Sequence, residues 1–392
     1  MKKLFTLLLA AVLVVACCFG LTACGETPTV ALITLHGEDS TYDKNFIDAF
    51  KEACANKGLN KNQYAIVSDI PEKNECYETA AKLADQGCKG IFADSFGHED
   101  FMIKAAKEFT NVQFYHATGY KSQIENLANY HNAFASIYEG RYIAGYAAGL
   151  KLLTMTDKAV DNNFKLGYIG AFTYAEVISG YSSWYLGVKS ALDEFNAENG
   201  TAYTCTMDVT FTGSWYDEAG EKAAAETLIS SGAVLVSQHA DSMGAPTACD
   251  TANVPNVAYN GLTGKNTLVA YSKINWVPYF EMMIEKALGG ADVATDWTGT
   301  ISTNSVQWAL GPGAATGSQE KLVAIENELK NGTRKVFDCS NFTVAGVQLT
   351  VSDPNVVLDA ATGITYFAES ATQSAPYFDL EIDGITRLDV RY

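Results

Sequence analysis

From residue 30 onward, short apolar runs alternate with longer stretches whose apolar positions recur at helical spacing. Residues 30–35 are a β-rich apolar run, and Ser40 then opens a segment in which Phe46, Ala49, Phe50 and Ala53 share one helix face. The alternation continues with strands expected near 64–67, 90–94 and 112–117 and helices near 76–86 and 99–109. A second series starts with a strand at 165–170 and a helix near 177–199. It goes on through strands at 205–211, 233–238 and 256–260 with helices near 218–230 and 245–252, and a further strand at 267–273. Residues 341–392 differ: β-like pieces at 342–347, 364–367 and 378–382 lie between turn residues, which predicts an appended β-rich element packing on one lobe.

Two such series in one chain predict an α/β protein with two doubly wound parallel sheets, because parallel strands need crossovers and sheets of this kind are covered on both faces. Ligands of open parallel sheets bind beyond the carboxyl ends of the strands, so the loops after each strand carry the candidate chemistry. After the first strand come Tyr42, Asp43 and Asn45, and after the third comes Phe96. The second half places Glu176, Trp215, Asp241 and Asn260 at equivalent positions, with Lys273 on the following strand. Aromatic faces, carboxylates, amides and an ammonium at matching points of both halves predict a cleft between two lobes.

The composition agrees with a globular body: 392 residues, 48% of them apolar and 18% charged. With 45 acidic against 27 basic side chains and a formal net charge of −18, a polyanion is repelled, so nucleic acid is excluded as a partner. The first 24 residues change the picture more. Lys2 and Lys3, then a long apolar run, then small residues form a secretory signal, and Leu21, Thr22, Ala23 and Cys24 resemble the bacterial lipobox, in which the cysteine is lipidated and becomes the mature N terminus. The expected arrangement is a signal over 1–23 and a tether over 24–29, with Cys24 anchoring the protein to the outer face of the cell membrane. Cys54, Cys76, Cys88, Cys205, Cys249 and Cys339 remain, as disulfides or as buried thiols; none has zinc-site spacing. No nucleophile elbow, Walker loop, HExxH or paired-cysteine motif is present, so no catalytic residue, metal ligand or cofactor is assigned.

Several longer stretches carry a specific resemblance. IFADSFGHEDFMIKAAKEF (91–109), FYHATGYKS (114–122), YEGRYIAGYAAGLK (138–151), GSWYDEAGEKAAAETLISSGAVLVSQHADS (213–242) and INWVPYF (274–280) are similar to the basic membrane protein family of substrate-binding lipoproteins. The resemblance covers roughly residues 30–332. It implies a type I periplasmic-binding-protein fold, with a first lobe over 30–140 completed by about 275–310 and a second over 141–272 completed by about 311–340. It also implies a monomeric protein that delivers a purine nucleoside or purine base to the permease of an ABC importer. DKNF (43–46) resembles the family's ligand-contacting loop, Trp215 its base-stacking aromatic, Asn260 an acidic ligand contact and Lys273 a ligand-contacting lysine. Asn in place of Asp at 260, and HADS at 239–242 in place of a glycine-rich turn, are departures, and they leave nucleoside against free base open.

A purine is a flat π-system with a donor and acceptor edge, which calls for stacking surfaces and a few oriented polar groups. Trp215, Phe96 and Tyr42 are the candidate stackers; each is also suited to core packing. Asp241 can accept N–H or O–H donors through a charged hydrogen bond, and Asn260 can read a mixed donor and acceptor edge or simply form a turn. Lys273 and Glu176 suit either ligand contact or an interlobe ion pair. Two other readings stay open: a surface receptor lipoprotein without a transport role, and a binder of another heteroaromatic or of a sugar.

Overall fold

The computed structural model describes residues 27–392, so the signal and Cys24 lie outside the described residues. The first lobe is built by β1 (Val30–Ile33), α1 (Thr41–Asn56), β2 (Tyr64–Val67), α2 (Asn74–Asp85), β3 (Gly90–Ala93), α3 (Glu99–Glu108), β4 (Gln113–Ala117), the short α4 (Ser122–Glu125) and β5 (Tyr130–Ala135). The second is built by α5 (Ile137–Leu152), β6 (Asn163–Gly170), α6 (Ala175–Asn199), β7 (Thr204–Phe211), α7 (Glu218–Ser230), β8 (Leu235–His239), α8 (Gly244–Ala252), β9 (Asn256–Tyr259) and β10 (Leu268–Ile274). The chain then returns to the first lobe with α9 (Val277–Ala287) and β11 (Asp296–Gly299), and to the second with β12 (Val306–Leu310) and α10 (Ser318–Asn331). Three short strands follow: β13 (Val356–Leu358), β14 (Thr365–Phe367) and β15 (Ile385–Arg387).

The first sheet runs β11-β5-β4-β3-β1-β2 with every neighbour parallel. The second runs β12-β10-β9-β8-β6-β7-β15, and in it only β12 against β10 is antiparallel. β1 is buried at all its positions, as a parallel strand between helix layers must be. Apolar clusters fill the outer face of the first sheet under α2 and α3 and the outer face of the second under α7 and α8, while a larger one runs through the inner faces of both. The glycines of α5 and α6 let these helices touch backbone to backbone: a Cβ on Gly145 would sit 2.0 Å from the Trp184 carbonyl oxygen, and one on Gly187 2.1 Å from that of Tyr142.

Three crossovers join the lobes, at Ser136, at Asn275 and at 300–305, and they are tied to one another. Ser136 N donates to the Gly299 carbonyl (2.8 Å), Asn275 N to that of Ser305 (2.8 Å), and Ile301 N to Glu139 Oε2 (2.8 Å). The second lobe regains the chain by β12 at 306, earlier than the boundary near 310 that the sequence suggested, because β12 closes the free edge of β10.

The C-terminal stretch departs from expectation. Residues 342–347 and 378–382 form no strand; their apolar residues are anchors of irregular chain, with Phe378 stacked on Phe337 at 4.1 Å and fully buried. Nor does the stretch pack on one lobe. Ser374 N donates to Asp296 Oδ2 in the first lobe (3.0 Å), whereas β15 adds to β7, and Arg391 and Thr173 exchange hydrogen bonds in the second. All six described cysteines are free and buried; burial pushes the thiols of Cys54, Cys88, Cys205 and Cys249 up to about 12. Among the described residues, no helix is long and apolar enough to cross a membrane.

Candidate functional site

A narrow cavity lies between the lobes at the carboxyl ends of the central strands. Leu35, Tyr42, Asp43, Ser95, Phe96 and Thr118 line it from the first lobe, and Glu176, Trp215, His239, Asp241 and Tyr259 from the second. The lobes meet around it. Thr41 N and Thr41 Oγ1 both donate to the Asp241 carbonyl (2.9 and 3.2 Å), Phe96 reaches Tyr174 with ring centroids 5.1 Å apart, and His36 reaches Tyr216 at 5.6 Å.

Local sequence sets each side chain. Ser40 caps α1 by accepting from Asp43 N (3.3 Å), and Asp43 in that first turn accepts from His36 N (2.8 Å) and Ser40 Oγ (2.5 Å), which folds the loop after β1 against the helix. The Tyr42 hydroxyl donates to the Asp94 carbonyl (3.0 Å) while its ring rests on Phe46, so the ring faces the cavity in a fixed pose. Trp215 sits in the loop ahead of α7, which Asp217 caps by accepting from Gly220 N (2.9 Å). Phe172 meets the Trp215 ring edge to face at 5.1 Å and stacks on Tyr174 at 5.2 Å, so Phe96, Tyr174, Phe172 and Trp215 form a continuous aromatic wall across both lobes. Glu221 accepts from Asp217 N and Ser242 N (3.2 Å each), tying the Trp215 loop to the Asp241 loop.

The polar side of the cavity is acidic. Asp241 is 4% exposed, and among the described residues its carboxylate takes no protein hydrogen bond. Burial first, then Asp43, Glu221 and Glu176, hold its proton affinity well above the usual carboxylate range. Asp94, directly behind, is raised by burial and by Asp43, and its Oδ2 has no partner. His239 is held 3.5 Å from Glu176 Oε1 and 4.2 Å, ring to ring, from Tyr259; burial depresses its basicity against the opposing pull of Glu176. Gly180 makes room for that imidazole, since a Cβ there would lie 2.4 Å from His239 Nδ1. Flat apolar faces with unsatisfied carboxylates suit an uncharged planar ligand rich in N–H or O–H donors, and repel a phosphorylated one.

Tyr42, Asp43, Phe96, Glu176, Trp215 and Asp241 are thus brought together. Asn45, Asn260 and Lys273 are not: they line a separate open groove on the far side of the Thr41–Asp241 contact. Asn45 instead donates to the Ile274 carbonyl (2.8 Å), a tie at the hinge, and Asn260 turns the chain with a φ of 64°. Lys273 departs because β10 lies beyond β9, next to the β12 edge. The strand-loop reading placed Ser95 and His239 after their strands, and both line the cavity; it missed Leu35, Thr118 and Tyr259. Tyr259 is the last residue of β9, so it counts as strand although it lines the cavity. The signal that could have found it is an aromatic residue closing an otherwise apolar strand.

Two lobes, three tied crossovers and a lined cleft define a two-lobed solute-binding protein. Solved structures share this fold: an ABC transporter solute-binding protein of Conexibacter woesei (TM-score 0.60, 18% identity, 79% of this chain and 98% of that one) and another of Aeropyrum pernix (TM-score 0.62, 12% identity, 79% and 93%). The family model for PnrA-like ABC transporter substrate-binding proteins matches residues 30–260, and the chain belongs to that family. It is 34% identical over 185 residues to a purine-binding protein of Brucella abortus, covering 47% of this chain and 46% of that one. It is 29% identical over 260 residues to a Haloferax volcanii protein named as an ABC transporter glucose-binding protein, covering 64% and 60%. The matches therefore span about half to three-fifths of these relatives' lengths.

Proposed function

We propose that the protein captures a purine base or purine nucleoside in the interlobe cavity and delivers it to the permease of an ABC importer, without catalysing a reaction. The observation that carries this reading is the pairing of the aromatic faces of Trp215 and Phe96 with the buried Asp241 carboxylate along one cavity. Stacking on Trp215 or Phe96 orients the ring plane, and Asp241 accepts from a ring or exocyclic N–H. The Brucella relative supports a purine. The Haloferax relative names the competing ligand, a hexose, whose hydroxyls the same carboxylates could accept. The protein works as a monomer, tethered to the outer face of the cell membrane through lipidated Cys24; the Leu21–Cys24 quartet supports the tether. Membrane retention of a Cys24→Ala form as tight as the parent's contradicts that part.

Calorimetric titration with adenine, guanine, hypoxanthine, their nucleosides and glucose tests the reading. At least one purine is expected to bind, and more tightly than glucose. Failure of all six purines at millimolar concentration overturns it, and glucose binding alone selects the hexose.

A further inference from the structure

Beside the cavity lies a second, roomier recess, and its outer wall comes from the C-terminal stretch beyond the family match. Gln373, Pro376, Tyr377 and Asp379 form that wall. The recess and the cavity share Phe96, Thr118 and Glu176, so the two spaces adjoin at those side chains. The wall is fixed from both lobes. Gln123 Nε2 donates to the Thr372 carbonyl (3.2 Å) and Ser374 N to Asp296 Oδ2 (3.0 Å) in the first lobe. Tyr138, on the second lobe's α5, donates to the Glu369 carbonyl (3.3 Å), and Ala371 N donates to the Tyr377 hydroxyl (3.0 Å). Thr118, at the junction, holds a φ of 61°, a left-handed conformation that a β-branched residue rarely adopts and that clusters at ligand sites.

We propose that the C-terminal segment gives the ligand site a second compartment, walled by Gln373, Pro376 and Tyr377, which receives a hydroxylated ring attached to the flat ring held in the cavity. This rests on the purine reading above and adds to it the part of the ligand that residues outside the family match would recognise. The compartment mixes aromatic faces, Phe96, Tyr120, Tyr174 and Tyr377, with acceptors at Glu176 and Asp379 and the Gln373 amide. A sugar ring has the matching chemistry: C–H faces that pack on aromatic rings and hydroxyls that donate to carboxylates. A free base fills the cavity and leaves the recess to water, whereas a nucleoside engages both.

Paired titrations of adenine with adenosine and hypoxanthine with inosine test this, on the parent protein and on Gln373→Trp, which fills the recess from a half-exposed position on its outer wall. The expected result is a nucleoside affinity lowered at least about tenfold with base affinity within about twofold, the pattern of steric loss confined to one part of a ligand. Equal weakening of both, or no change in either, overturns the compartment and leaves the purine reading in place, as does a parent that binds bases but no nucleoside. A parent that binds no purine overturns the purine reading and this inference with it. Gln373→Cys gives a second readout, because the six described native thiols are buried. Nucleoside should slow its labelling by a maleimide and base should not; equal labelling rates with either ligand contradict the proposal.

Discussion

Two of the spaces between the lobes differ in what lines them. In the groove beside α1 and β10, Lys44 pairs with Asp48 at 2.8 Å and Asn275 donates to the Asn304 carbonyl at 3.0 Å, while Asn260 Nδ2 is buried without a partner among the described residues. The groove is the larger space, and Tyr271 is the one aromatic residue among those that line it. In the cavity, Asp241 is buried, with Asp94 and its unpartnered Oδ2 behind it, beside an aromatic wall that Asp217 and Glu221 hold in place. A buried polar group without a partner costs stability unless something else satisfies it. The contrast teaches that a polar residue after a parallel strand is only a candidate; the side of the Thr41–Asp241 contact on which it falls decides its role.

Breaking the aromatic wall is expected to have the largest effect. Trp215→Ala should weaken purine binding about fivefold to 150-fold, the value of roughly 1–3 kcal/mol of stacking, while Trp215→Phe keeps most of it. Titration alongside apo melting curves separates this from packing: a lowered melting temperature with unchanged affinity places the ring outside the site. Next comes Asp241→Asn, which keeps the shape but removes the charge; a lost charged hydrogen bond of about 1.5–3 kcal/mol corresponds to roughly tenfold to 150-fold in affinity.

Acid should act through the same carboxylate. Burial and its acidic neighbours raise the proton affinity of Asp241, so the acceptor form needed by an N–H donor is lost at a higher pH than for an exposed aspartate. Affinity is therefore expected to fall as pH drops through that raised range, and Asp241→Asn to flatten the profile. An unchanged profile in that variant assigns the titration elsewhere. The smallest effect belongs to the groove: Lys273→Ala and Asn260→Ala should change affinity by no more than about twofold, as substitutions away from the bound molecule do. A tenfold loss in either variant would erase the distinction between the two spaces.

The alternation from β1 to β9 was legible because parallel strands buried on both faces leave continuous apolar runs, and the helices between them show one apolar face. β5 was not, since His131 and Asn132 interrupt its apolar pattern; His131 is buried by stacking on Tyr115 at 5.0 Å and by hydrogen bonds to Ala294 and Gln113. In the C-terminal stretch the piece at 364–367 is β14, but β13 and β15 were not legible, and anchors such as Phe342 and Phe378 space themselves along irregular chain much as strand residues would. In the site, loop position revealed Tyr42, Asp43, Phe96, Glu176, Trp215 and Asp241. It gave no way to see that Lys273 and Asn260 face the groove, because the order in which strands pair is a property of the sheet and of no local stretch.

The most direct test of the cavity as the ligand site is a crystal structure of the protein with the purine that binds best in titration. The account predicts the ring inside the interlobe cavity, stacked on Trp215 or Phe96, with an N–H within hydrogen-bond distance of the Asp241 carboxylate. A purine seated in the groove against Lys273 and Asn260, with the cavity holding only water, would contradict it.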